Sequence, residues 1–107
     1  MKLVVFVPET HADAVREAMG KAGAGKIGNY TFCSFTGKGV GRFKPEEGAT
    51  PAIGQVGKLE IVSEERIEVT CRKDQLAQII EAIKDVHPYE EVALDIYPMI
   101  VLDNKRD

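Results

Sequence analysis

The sequence predicts an α+β sandwich in which a four-stranded antiparallel sheet carries two helices on one face. Three observations predict it: a Val-rich apolar stretch near the N-terminus, two segments with helical spacing of apolar residues, and one long segment of strict alternation. With right-handed crossovers, the order βαββαβ forms the ferredoxin-like layout. The chain has 107 residues, so we expect a single domain over residues 1–107. The predicted strands are 2–7, 29–36, 59–71 and 92–102, and the predicted helices are 12–22 and 75–86.

The first strand and the first helix are predicted from residues 2–22. The stretch 2–7 is apolar throughout, as in a strand buried on both faces. Thr10 can cap the N-terminus of the helix that follows, and Asp13, three residues later, can bond back to it as in a capping box. Apolar residues then recur on one stripe, and three glycines end the helix. The stripe is Ala12, Val15, Met19 and Ala22, and the glycines are Gly23, Gly25 and Gly28.

The second strand and a long loop are predicted next. Residues 29–36 alternate aromatic and small side chains, which is typical of a strand. Residues 37–57 carry six glycines and two prolines, and this composition predicts an irregular loop.

The segment 59–71 places apolar residues at odd positions and charged residues at even positions, which favours one long strand. The alternative is a break into a small hairpin at 63–65. A second helix begins after Asp74 and ends at His87, because the residue before Pro88 leaves the helical region. Its apolar stripe is Leu76, Ile79, Ile80 and Ile83.

Charge and composition exclude several function classes. Fourteen basic and seventeen acidic residues give a formal net charge of −3, and no Lys/Arg-rich run occurs. We therefore expect neither a nucleic-acid partner nor a membrane partner. The apolar run Leu3–Val7 is too short for a secretory core. We expect a cytoplasmic protein with two reduced thiols, Cys33 and Cys71.

The apolar content of the first and last predicted strands predicts self-association. Two helices cover only one face of the sheet, yet residues 2–7 and 92–102 are apolar on both faces. A monomer would expose a large apolar patch, which is rare. The predicted strand at 59–71 is also longer than a compact domain of this size can cover by itself. A homo-oligomer is therefore predicted.

Polar side chains are predicted to meet at one end of the sheet. In this topology, residues 8–11, the loop 37–57 and residues 87–91 lie together. Imidazoles with carboxylates suit zinc or copper. Alternatively, the helix N-terminus and the glycine loop could hold a small anion, or His87 and Glu91 could simply cap and orient the end of the second helix. The predicted metal ligands are His11, His87, Glu90 and Glu91.

The glycine segment Gly37-Lys38-Gly39-Val40-Gly41 matches neither a P-loop nor a dinucleotide fingerprint. Its lysine and Arg42 nevertheless add positive charge near the same end, so a nucleotide or an acidic metabolite is conceivable there. The alternative is a flexible hairpin tip. The predicted ligand-binding residues are Gly37, Lys38, Gly39, Gly41, Arg42 and Tyr89.

Five stretches resemble the inserted domain of the NGG-interacting-factor-three-like family, whose members are also known as homologues of a type 2 GTP cyclohydrolase I. They are VPETHADAVREAMGKAGAGKIGNY, CSF, GKGVGRFKPEEGATPAIGQVGKLE, EERIEV and HPYEEVALDIYP. The flanking lobes that carry the family's dinuclear metal centre are not in this sequence. The resemblance therefore implies the insert alone, as a free-standing protein without that centre.

The insert is in turn similar to the CutA and PII proteins, in which His87-Pro88-Tyr89-Glu90 matches a CutA tetrapeptide. The resemblance implies a homotrimer whose loop 37–57 could reach a protein partner. We thus expect a small homo-oligomeric binding or regulatory module that takes a divalent metal or a small anionic ligand. The alternative is an enzyme of nucleotide or cofactor metabolism using His11 or His87 as general acid/base, or a subunit completed by a partner protein.

Overall fold

The computed structural model describes residues 1–102 and confirms the predicted fold class. Four antiparallel strands lie in the order β2-β3-β1-β4, and two helices pack against one face of the sheet. Within the described residues, no helix is long and apolar enough to cross a membrane. The elements are β1 (Lys2–Pro8), α1 (Ala12–Lys21), β2 (Phe35–Phe43), β3 (Glu60–Thr70), α2 (Leu76–Val86) and β4 (Leu94–Tyr97), with single 3-10 turns at Glu9–His11 and Lys73–Gln75.

The core lies between the sheet and the two helices. Alternate residues of β1 face the helices and meet the apolar stripes of both, as the pattern predicts. Burying side chains of this size contributes about 1.5–3 kcal/mol each relative to exposure. The fully buried members include Leu3, Val5 and Val7 of β1, Val15 and Met19 of α1, Ile67 of β3, and Ile79 and Ile83 of α2.

The prediction for β3 is confirmed, because the strand runs unbroken past 63–65. It is longer than β1, whose last residue, Pro8, pairs with Glu64. Residues 60–63 of β3 and 40–43 of β2 therefore extend beyond the four-stranded body as a two-stranded ribbon, which we call the arm. The arm contributes to an elongated molecule of 48 × 24 × 23 Å.

The prediction for β2 was wrong in position. The strand covers Phe35–Phe43 rather than 29–36, so the glycine segment is strand and the loop is confined to 44–59. Residues 25–34 are held in turns by local backbone bonds, and Phe32 has a left-handed φ of 60°. A continuous ladder with β3 offsets the low strand preference of the glycines.

The last strand is also shorter than predicted, covering Leu94–Tyr97 instead of 92–102. Tyr97 pairs with Lys2, the first residue of β1, so the chain beyond it has no partner strand. Ile100 and Leu102 are accordingly 94% and 97% exposed. Residues 103–107 of the predicted domain 1–107 lie outside the described residues.

Neither predicted helix cap forms. Thr10 bonds to the ring of the neighbouring His11 at 2.9 Å, and Asp13 accepts from Arg16 at 2.5 Å. Asp74 accepts from Arg72 at 3.0 Å. In both places a 3-10 turn precedes the helix, so Thr10 and Asp74 each lie one residue before the N-cap position, which His11 and Gln75 occupy.

Candidate functional site

The residues after α2 are anchored to the sheet by His87. The backbone leaves the helical region at this residue, before Pro88, as the sequence predicts. The imidazole is 7% exposed, and its Nε2 lies 2.7 Å from the carbonyl oxygen of Phe6. The backbone N–H of Tyr89 donates to Nδ1 at 3.2 Å. His87 thus ties the chain after α2 to β1.

These two bonds define the protonation of His87. Nδ1 accepts a hydrogen bond from a backbone N–H, so Nε2 must carry the ring hydrogen in order to donate to the carbonyl. Burial lowers the pKa of His87 and outweighs the Phe6 carbonyl and the Glu64 carboxylate, which act in the opposite direction. The ring is therefore neutral at pH 7, and neither nitrogen has a lone pair free for a metal or a substrate proton.

Tyr89 crosses from α2 to the helix-free face of the sheet. Its hydroxyl donates to Oε2 of Glu64 at 3.0 Å, and its ring meets Phe43 edge-on with centroids 5.4 Å apart. The Tyr89 ring also lies beside the His87 ring, with centroids 5.2 Å apart. Burial and the hydrogen bond to Glu64 raise the pKa of Tyr89, so the phenol stays protonated and acts as a donor.

Glu64 occupies space that a side chain at position 41 would fill. The two residues lie on the helix-free face of neighbouring strands, and a Cβ on Gly41 would overlap the Glu64 carboxylate. At Gly37 and Gly39, which lie on the same face of β2, a Cβ would meet nothing within 4 Å. Of these three glycines, Gly41 is the one that positions a functional group.

The loop 44–59 is tied to the body through Glu90. Its carboxylate accepts the backbone N–H and the hydroxyl of Thr50, both at 2.8 Å. The loop closes on itself where Gly57, at a φ of 83°, donates its N–H to the Pro45 carbonyl at 2.7 Å. Glu90 therefore holds the loop against the segment that follows α2.

These elements enclose a cavity of about 410 Å³ at the base of the arm, which we call the arm cavity. Its walls come from β1, the arm, the loop and the segment after α2. Aromatic rings and carboxylates dominate the lining, and smaller apolar residues complete it. The lining residues include Phe6, Phe43, Tyr89, Glu46, Glu64, Glu90, Glu91, Arg42, Lys44, Gly41, Ile53 and Ala93.

The predicted ligand-binding residues divide between two neighbouring depressions. Gly41, Arg42 and Tyr89 line the arm cavity. Gly37, Lys38 and Gly39 instead line an open groove of about 350 Å³ beside it, and the two depressions share Phe6, Glu64 and Gly41. The glycine segment is the floor of this groove rather than a loop tip, because its residues belong to β2.

The predicted metal ligands do not come together. Glu90 and Glu91 line the arm cavity, but both nitrogens of His87 are occupied and exposed His11 bonds to Thr10. Among residues 1–102, no three His, Cys, Asp or Glu side chains form a group that could hold a metal ion. Binding of zinc or copper stays a prediction.

Four contributors to the site are absent from the sequence-based prediction: Phe6, Phe43, Thr50 and Glu64. Glu64 lies on the charged side of an alternating strand, where the pattern indicates only solvent exposure. Its contact with Tyr89 joins residues 25 positions apart. One sequence signal was available: Phe43 follows the three glycines at the same two-residue spacing, which places all four residues on one face of a strand.

The fold defines a ferredoxin-like domain of the CutA and PII class. The periplasmic divalent cation tolerance protein CutA from Archaeoglobus fulgidus has a TM-score of 0.67 at 15% identity, covering 96% of this chain and 86% of that one. This likeness concerns the fold alone. The family model for nitrogen regulatory protein P-II matches residues 1–101, and the chain belongs to this family.

Two relatives are similar over most of this chain but are much longer. The GTP cyclohydrolase 1 type 2 homolog of Halalkalibacterium halodurans is 56% identical over 98 residues, covering 92% of this chain and 26% of the relative. A Bacillus cereus protein related to NIF3 has a TM-score of 0.80 at 50% identity, covering 98% of this chain and 26% of that one. The chain spans about a quarter of the curated relatives it matches, and the predicted resemblance is confirmed.

Proposed function

We propose that this chain is a small-ligand binding module of the regulatory type, and that the arm cavity is its binding site. The observation that carries the proposal is the cavity itself: about 410 Å³, lined by three aromatic rings and bordered by the loop that the Glu90–Thr50 contact holds in place. Small-molecule sites are concave, apolar in most of their lining and about 300–1,000 Å³ in volume. Membership in the nitrogen regulatory protein P-II family supports a regulatory role.

Self-association is part of the proposal. Phe35 and Tyr97 lie on the helix-free face and are 69% and 48% exposed, and Val40 and Ile61 are exposed on the arm. Burial of this surface against further copies would stabilise the protein. We propose a homo-oligomer, with three copies as the resemblance implies. Free thiols at Cys33 and Cys71 accord with the predicted cytoplasmic setting.

An enzyme remains the second candidate because of the name borne by the 56%-identical relative. In that role His11 would be the general acid/base, since both nitrogens of His87 are engaged. Turnover of a nucleotide by this chain, lost in His11→Gln and kept in His87→Gln, would favour the enzyme over the module.

The binding proposal is tested with a fluorescent reporter. The chain contains no Trp, so Ala52→Trp places a single indole in the cavity lining, and Ala77→Trp places one on the exposed side of α2. The panel is ATP, GTP, zinc, copper and choline. We expect at least one compound to change the emission of the first variant and to leave the second unchanged. A flat response from both variants across the panel would overturn the proposal.

Self-association is tested by light scattering on the unmodified chain. We expect a mass that is a multiple of 11.7 kDa. A strict monomer across the micromolar range would remove self-association from the proposal, and it would leave the reporter experiment unaffected.

A further inference from the structure

The lining of the arm cavity carries more negative than positive charge. Four carboxylates and two bases line it. Of the bases, Lys44 lies 3.8 Å from the carboxylate of Glu46. Arg42 pairs with Ile61 in the ladder, so its side chain projects from the face opposite to Gly41 and Phe43. Glu46 is therefore paired, and the interior also faces Glu64, Glu90 and Glu91, none of which forms an ion pair in the described residues.

Glu64 is the most constrained of these carboxylates. It is partly buried, it accepts a hydrogen bond from the Tyr89 hydroxyl at 3.0 Å, and it makes no ion pair within residues 1–102. The Tyr89 hydroxyl donates a hydrogen bond but carries no positive charge. A carboxylate whose hydrogen-bond donor is neutral attracts a cation of a ligand.

Aromatic faces provide the second half of the recognition. Phe6, Phe43 and Tyr89 line the same cavity as Glu64. The face of an aromatic ring is negative, and a cation within about 6 Å of a ring centroid is attracted to it. A bare metal ion requires three or more converging ligand atoms, whereas an alkylammonium group can lie against rings and a carboxylate without coordination.

We propose that the ligand of the arm cavity is an organic cation, a primary amine or a quaternary ammonium, held between the aromatic rings and the Glu64 carboxylate. The inference rests on the proposed function, in which this cavity is the binding site. The glycine segment had predicted an anionic ligand, whereas this proposal gives the ligand a positive charge. The reason is that Lys38 and Arg42 project from the other face of β2.

The experiment compares choline with its uncharged isostere, 3,3-dimethylbutan-1-ol, by titration into the Ala52→Trp reporter. We expect choline to bind at least about tenfold more tightly than the alcohol, since shape is matched and charge is the difference. Adding Glu64→Gln should weaken choline about five- to tenfold and leave the alcohol unchanged. Glu81→Gln, on the exposed side of α2, is the matched control and should change neither titration.

The outcomes separate the two proposals. If the reporter responds to ATP or GTP, or equally to the alcohol and to choline, the proposal of a cationic ligand is overturned. The proposal that the cavity is a binding site then still stands. If choline binds but Glu64→Gln does not weaken it, the role of Glu64 is overturned. If no compound changes the reporter, both the binding site and the cation fall together.

Discussion

The Tyr89 hydroxyl donates a 3.0 Å hydrogen bond to Oε2 of Glu64, joining the segment after α2 to the strand β3. The same tyrosine donates its backbone N–H to the buried His87 ring. One residue thus connects a neutral histidine behind the cavity wall with a carboxylate inside the cavity.

Removing the hydroxyl in Tyr89→Phe should cost about 1–2 kcal/mol of unfolding free energy, because the bond has a charged acceptor and is only partly buried. Urea unfolding measures it, with Tyr97→Phe as a control that should stay within about 0.5 kcal/mol. The pKa of Tyr89 is raised, so the unfolded chain ionises first: its contribution to stability is present below about pH 10 and is lost as the pH rises further. An equal alkaline loss in Tyr89→Phe would contradict this.

Gly41→Ala should displace the Glu64 carboxylate while the fold is kept, because the overlapping atoms belong to the end of a flexible side chain. Tyr89 then loses its acceptor, and its pKa should fall back toward 10. Ultraviolet titration of the three tyrosines measures this change. Gly39→Ala is the control, since a Cβ there meets nothing within 4 Å. The same late titration in both variants would show that Gly41 does not position Glu64.

Acid should destabilise the protein through His87. Its folded pKa is lowered, so the unfolded chain takes up the proton first, and stability is lost as the pH falls below about 6.5. The slope should approach, and not exceed, about 1.4 kcal/mol per pH unit. Unfolding between pH 7 and 5.5 should show a clearly shallower loss in His87→Gln and a much smaller change in exposed His11→Gln, since His11 is the smallest cause of the lowered pKa of His87. The reverse assignment would contradict the prediction.

Arg16 joins α1 to the sheet through Glu65, which is 7% exposed. Its guanidinium lies 2.6 Å from that carboxylate and 3.2 Å from the Thr36 hydroxyl. Arg16→Met leaves a nearly buried charge without its cation and should cost about 2–4 kcal/mol in urea unfolding. Adding Glu65→Gln should recover part of the loss. Arg72→Met, which breaks an exposed pair, should cost under about 1 kcal/mol. Equal costs for the two arginine variants would be inconsistent with a buried pair.

Glu90→Ala should release the loop 44–59, because Thr50 loses both of its bonds to the body. We expect hydrogen exchange of the Thr50 amide to become roughly tenfold faster, the equivalent of ~1.4 kcal/mol. Glu91→Ala removes a neighbouring carboxylate that makes no hydrogen bond in the described residues, and it should leave the exchange unchanged. If both variants exchange alike, Glu90 does not hold the loop.

Patterns along the chain predicted the fold because they depend on local spacing. The alternation that ends at Cys71 and the stripe that includes Ile79 both reflect which face is buried, and the structure confirms both elements. The end of the sheet that holds the site was also predicted, since the order of the elements determines which loops are neighbours.

The chemistry of the site could not be predicted in the same way. His87 was expected to bind a ligand, but its nitrogens are used by Phe6 and Tyr89, and the first of these contacts joins residues 81 positions apart. Likewise Gly41 was expected to be in a loop, since a ladder with β3 is invisible to composition. In both cases the structure depends on contacts between residues that are distant in the sequence.

The arm has a mechanical consequence. A ribbon of two strands twists and bends more easily than a sheet of four. The cavity has Phe43 on the ribbon and Phe6 on the stiffer body, so it spans the place where rigidity changes. We therefore expect a molecule bound in that space to change the tilt of the ribbon against the body.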